Sequence, residues 1–69
     1  MLVRVDEYEI IDIEQVVKDD TDIAIVFSGL KGKKKVRFYE EKARDLAFNK
    51  IITCYKNGYK CCDITIYTK

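Results

Sequence analysis

The sequence has no histidine, no tryptophan and no proline, and only three cysteines and three glycines among its 69 residues. Each shortage removes a class of chemistry. Without histidine, a nucleophile has no imidazole base beside it, so hydrolase-type nucleophilic catalysis is not expected. The odd cysteine count argues against the disulfide framework of a small secreted domain and predicts reduced thiols in a cytoplasmic setting. No run of about 18 apolar residues is present, so no membrane-spanning helix is expected. The first residues, Met1-Leu2-Val3-Arg4-Val5-Asp6-Glu7, reach charged side chains at once and do not read as a signal peptide.

The cysteines themselves do not form a metal signature. Cys61 and Cys62 are adjacent, and neighbours on a strand point to opposite faces. No Cys-x-x-Cys spacing accompanies them, so Cys54 and Cys62 read as small buried hydrophobes, and neither metal nor cofactor is expected. Gly29-Leu30-Lys31-Gly32-Lys33 superficially suggests a phosphate loop, but the spacing is wrong and it joins two strands. The acidic residues fall in turns and at a helix start, and a core this small leaves little room for converging carboxylates. The chain is therefore expected not to be an enzyme.

What is present is a globular composition, 48% hydrophobic and 36% charged, with a net charge of +1. Its length allows one domain, and cores of this size are often supported by a partner subunit, which makes self-association an expectation. Isoleucine, lysine, aspartate and tyrosine are abundant, as AT-rich microbial or phage codons favour. The small net charge conceals an asymmetry. Residues 1–30 carry eight acids against Arg4 and Lys18, whereas residues 31–69 carry eleven basic residues against four acidic ones. Such polarity steers association and favours contact between unlike ends.

Periodicity predicts an α+β domain in β-β-β-α-β order, a small sheet with one long amphipathic helix on one face. Leu2 to Ile13 reads as a first strand, broken in its alternation by the doublet Ile10-Ile11, which predicts a bulge or a change of facing. Asp12 and Gln15 form a weak capping box, predicting a helical turn over Ile13–Val17 before the polar turn 18–22. Ile23, Ile25 and Phe27 alternate as a second strand, and Val36 and Phe38 as a third, joined by a glycine-bearing hairpin loop. Glu40 to Asn57 reads as the helix, stopped by Gly58 in an αL cap. Tyr59 to Tyr67 reads as a last strand, running beside and parallel to the first. The expected core is Ile23, Ile25, Phe27, Val36, Phe38, Ile64 and Ile66, covered by Ala43, Leu46, Ala47, Ile51 and Cys54.

The helix carries more apolar surface than one sheet face needs. Phe48, Ile52 and Tyr55 form a second stripe rotated from the core face. Either the N-terminal segment closes over it through Val16 and Val17, or Phe48, Ile52, Tyr55 and Tyr59 form a partner or homodimer interface. A second candidate surface is the basic hairpin, Lys31, Lys33, Lys34, Lys35 and Arg37, which is expected to follow phosphates if the chain binds nucleic acid, with salt-dependent, mostly sequence-blind affinity. Arg37, Tyr39, Thr65 and Tyr67 on an outward face would add stacking surface. The alternative is that the lysines only protect an edge strand.

The stretch from Asp22 to Tyr59 reads as hairpin, then helix, then Lys56-Asn57-Gly58-Tyr59. In this it resembles the small phage-encoded β-hairpin-plus-helix proteins, anti-CRISPR inhibitors among them, whose helix ends in a similar Lys-Asn-Gly-aromatic run. The resemblance covers about half the chain. It implies a small accessory protein that binds and blocks a host or defence protein. Members that mimic DNA carry a broad acidic surface, from which the lysine-rich hairpin departs, so no site residue is carried over. The leading expectation is a cytoplasmic, non-enzymatic binder of a protein partner. The alternatives are a nucleic-acid module built on Lys31–Arg37 and a sponge for an anionic nucleotide at a dimer interface.

Overall fold

The computed structural model describes residues 1–68. The first twelve residues form a hairpin where a single long strand was expected. β1 (Leu2–Arg4) pairs antiparallel with β2 (Ile10–Asp12), with Val3 opposite Ile11. The acidic run between them reverses the chain. The Asp6 carboxylate accepts the Tyr8 N–H at 2.8 Å, and Arg4 Nε donates to the Asp6 carbonyl at 3.3 Å. Such an aspartate-centred turn competes locally with continued extension. Val3, Val5 and Ile13 point into the core, and Ile10 points out.

The change of facing lies a few residues beyond the Ile10-Ile11 doublet. Ile13 N–H donates to the Met1 carbonyl of one sheet, and Glu14 N–H to the Ser28 carbonyl of the other. Glu14 and Gln15 thus both address Ser28, the pattern of a β-bulge, and the chain turns a corner between sheets there. β3 (Gln15–Asp19) follows, where a helical turn was expected. Val16 and Val17 are β-branched, and Val16 lies opposite Phe27, so tertiary pairing overrides the weak capping signal. Gly29 is required at this corner, since a Cβ there would clash with the Asp12 carbonyl oxygen.

β4 (Ala24–Gly29) and β5 (Gly32–Arg37) form the expected hairpin, with Ile25 opposite Val36 and Gly29 opposite Gly32. Leu30 and Lys31 make the two-residue tip. The register sends Ile25 and Phe27 inward and Lys33, Lys35 and Arg37 outward.

α1 (Glu41–Lys56) carries the chain back to the first sheet. It ends as expected. Gly58 has φ +72°, its N–H reaches the Tyr55 carbonyl at 3.1 Å, and Tyr59 N–H reaches that of Cys54 at 2.9 Å. These are the paired bonds of a Schellman motif. β6 (Cys61–Asp63) then runs parallel to β1, Val3 beside Cys62, as the crossover predicts. The expected last strand stops at Asp63, whose carboxylate accepts both the N–H and the hydroxyl of Thr65, and a 3-10 turn (Thr65–Tyr67) follows.

The result is an α+β fold of six strands in two small sheets, ordered β2-β1-β6 and β3-β4-β5, one of them mixed, with a single 16-residue helix. The chain order is β-β-β-β-β-α-β, two strands more than alternation alone delivered. The core joins Val3, Val5 and Ile13 to Ile25, Phe27, Phe38, Ala47, Ile51, Cys54, Cys62 and Ile64. Leu46 and Ile66, expected inside, are exposed, and Ile23 and Val36 are only half-buried. Ile66 leaves the core because the 3-10 turn ends strand alternation before it.

A candidate partner-binding surface

The structure divides the second helical stripe by position along the helix. Phe48 packs half-buried against the core, and the Lys18 ammonium of β3 lies 5.1 Å from its ring centroid. That arrangement combines a cation–π contact with partial cover by the lysine stem. Val16 packs on the same core, whereas Val17, expected to close over the stripe with it, is exposed. Ile52 is half-buried. Tyr55 and Tyr59, by contrast, are 76% and 59% exposed. They line a hollow of about 570 Å³ together with Met1, Leu2, Asp12 and Lys60.

A second hollow, of about 610 Å³, opens between β2 and the β4–β5 tip. Leu2 and Asp12 line both. Its apolar members include Leu30, 90% exposed, and Ile10, 57% exposed. Sequence reasoning missed Leu2, Ile10 and Leu30. The available signals were the doublet, which forces one isoleucine outward, and a leucine at the tip of a glycine-flanked loop.

The basic hairpin is partly neutralised by the acidic half of the same chain. Lys34 pairs with Glu9, and Lys35 with Asp22 and, at 3.0 Å, with Asp19. These hydrogen bonds hold both lysines above their ordinary pKa and Asp19 below its own. Arg37 comes only to 3.9 Å of Asp22. Lys31 and Lys33 have no carboxylate within 4.0 Å among the described residues. Nor does the expected stacking platform assemble, since Thr65 and Tyr67 sit in the 3-10 turn and Tyr67 packs on the core, while Tyr39 stands exposed near the helix start.

Arg44 is the other residue that sequence reasoning passed over. It is only 3% exposed on the core side of α1. Its guanidinium bonds the Asp19 carbonyl at 3.1 Å, Asp20 Oδ1 at 2.9 Å and Asp45 Oδ1 at 3.0 Å, and Asp45 also meets Lys18 at 3.2 Å. Burial opposes its charge, but the Asp45 and Asp20 carboxylates outweigh that and raise its pKa. The network ties the helix to the β3–β4 turn. Its legible signal was the spacing from Arg44 to Ala47 and Ile51, which puts all three on one helix face.

The thiols do not converge on a reactive geometry. Cys54 and Cys62 are buried and Cys61 is exposed. Burial, with Cys54 close by, pushes the Cys62 thiol up to about 12, where it is an inert, protonated group at neutral pH. Among the described residues no three histidine, cysteine or acidic side chains are grouped to hold a metal ion, and no helix is long and apolar enough to cross a membrane.

Comparison with family models, curated proteins and solved structures finds no match for this chain.

Proposed function

We propose that this chain is a non-enzymatic protein-binding domain that engages its partner through the surface centred on Leu2. One observation carries the reading. Two adjoining hollows share Leu2 and Asp12, and around them stand five exposed large apolar side chains, Leu2, Ile10, Leu30, Tyr55 and Tyr59. Single exposed hydrophobics need no explanation, but a contiguous set around concave surface is the usual mark of an interaction site. The tyrosines suit such a place, offering large contact area at low entropic cost together with a polar tip.

A binder of this kind can act by occlusion, which is the accessory, binding-and-blocking role that the resemblance to small phage inhibitors implies. A homodimer formed through the Tyr55–Tyr59 end is a special case of the same reading. Nucleic-acid binding has less support, because the ion pairs of Lys34 and Lys35 with Glu9, Asp19 and Asp22 lower the free charge of the hairpin.

The test is affinity capture from the native host, followed by reconstitution with the captured protein. Leu2→Asp and Tyr59→Asp should each weaken that complex by about tenfold or more while the circular dichroism spectrum stays unchanged. Variants that bind as tightly as the parent, or a chain that captures only nucleic acid, would overturn the proposal.

A further inference from the structure

The groove between β2 and the β4–β5 tip has a property that the Tyr55–Tyr59 hollow lacks, an open sheet edge. β2 is the outermost strand of its sheet. Ile13 N–H bonds the Met1 carbonyl and Val5 N–H the Glu9 carbonyl, on either side of the Val3–Ile11 pair. In an antiparallel ladder, residues that face the partner strand alternate with residues that turn their backbone groups away. Glu9, Ile11 and Ile13 therefore address β1, and Ile10 and Asp12 address the opposite side. The Asp12 carbonyl is taken up against Gly29 at the corner. The N–H and C=O of Ile10 and the N–H of Asp12 have no partner strand in their sheet, and both residues line the groove.

The charges of the groove are unequal. Glu9 is paired with Lys34, and Asp12 lies 3.5 Å from the Met1 ammonium. Lys31 and Lys33 have no carboxylate within reach among the described residues. The apolar surface has exposed Ile10 on the β2 wall and exposed Leu30 on the hairpin wall.

We propose that this groove takes an extended segment of the partner protein as an added strand on β2, and that the segment carries carboxylates among apolar side chains. Backbone bonds to Ile10 and Asp12 give the strand its register, as in other cases of strand addition. Ile10 and Leu30 cover its apolar residues, and Lys31 and Lys33 select its acids. The assignment rests on the protein-binding reading above and specifies the chemistry of the partner.

A capped six-residue peptide alternating valine and glutamate is the probe, titrated into the isotope-labelled chain and followed by amide chemical shifts. Saturable shifts are expected at Ile10 to Asp12 and Leu30 to Lys33. The same peptide with lysine for glutamate should bind about tenfold more weakly or worse. Ile10→Pro removes an edge donor and no bond of the β1–β2 ladder, so it should abolish saturation in a chain that keeps its dispersed spectrum, whereas Ile10→Thr should retain binding. Should the proline variant unfold, Lys31→Glu with Lys33→Glu still decides, because it should reverse the preference toward the lysine peptide. No saturation at millimolar peptide, equal binding of both peptides, or shifts confined to Tyr55 and Tyr59 would overturn the proposal. So would dimerisation of the chain alone through Ile10, since its own strand would then be the occupant. If the peptide fails while Tyr59→Asp still releases the captured partner, the strand-addition inference falls and the protein-binding reading stands.

Discussion

The two ends of α1 present the same kind of side chain to very different surroundings. Toward its N-terminal half, Phe48 is covered by Lys18 and the core, and Arg44 is tied to the β3–β4 turn through Asp19, Asp20 and Asp45. At its C-terminal end, Tyr55 stands on the same side of the helix as Phe48 yet is open to solvent, with Tyr59 beyond the cap beside it. The difference is not in helical angle. Lys18 and Asp19 of β3 meet the helix at Phe48, Asp45 and Arg44, while Tyr55 and Tyr59 border an open hollow with Met1, Leu2 and Asp12. An apolar stripe thus divides into a packed part and a free part.

The most forceful way to break this comparison is to place one charge at each end. Phe48→Asp should destabilise the fold by about 2–4 kcal/mol, since it removes packing and puts a carboxylate against the core. Its nearness to Lys18 does not rescue it, because the ammonium already serves Asp45 at 3.2 Å. Urea denaturation checks this. A Phe48→Asp chain as stable as the parent would mean that the packed end is not packed. Arg44→Met should also lower the urea midpoint, because the Asp19 carbonyl and the Asp20 and Asp45 carboxylates lose their shared donor while the methionine fills only the stem volume. The N-terminal half of the helix is the place to expect both losses.

How much of this could be read beforehand depends on segment length and on what each segment meets. The helix, its Gly58 stop, the β4–β5 hairpin and the parallel return of β6 were legible, because each rests on a local signal several residues long or on a topological rule. β1, β2 and β6 are three residues each, too short for a period to appear. Leu2 to Ile13 therefore read as one strand, although Asp6 folds it in two. β3 read as a helical turn because its determinant is Phe27, eleven residues from Val16 in the chain and opposite it in the sheet. The candidate surface was half legible. Tyr55 followed from excess apolar arc, whereas the groove comes from Ile10 and Leu30, which only the corner at Ile13–Glu14 brings to one opening.

The same network gives the packed end a pH dependence. The Arg44 hydrogen bond, with help from Lys18, holds the Asp45 carboxyl below the ordinary range, and the Lys35 hydrogen bond does the same for Asp19. A carboxylate whose folded pKa is depressed stabilises the fold above its unfolded pKa of about 4 and loses that contribution as the pH falls through the folded value. The urea midpoint should therefore hold steady near neutrality and decline below about pH 4. Asp45→Asn should lower the midpoint at neutral pH and make the acid decline shallower. The Asp45 carboxylate is 44% exposed, and solvent screening should keep the effect smaller than that of Phe48→Asp. An acid decline as steep in Asp45→Asn as in the parent would remove Asp45 from the network.

The smallest effect on folding is expected at the open end, and there the contrast is sharpest. Tyr55→Asp should change stability by no more than about 0.5 kcal/mol, since the ring already lies in water and its backbone bonds belong to the helix cap. The same charge, seven residues after Phe48 and on the same side of the helix, should leave the urea curve in place. It should instead weaken the captured complex, because Tyr55 lines the hollow that Leu2 and Tyr59 share. A Tyr55→Asp chain that unfolds readily would show that the ring supports the fold. One that neither unfolds nor loses its partner would confine the binding surface to the β2 groove, leaving the exposed tyrosines as ordinary helix-end residues.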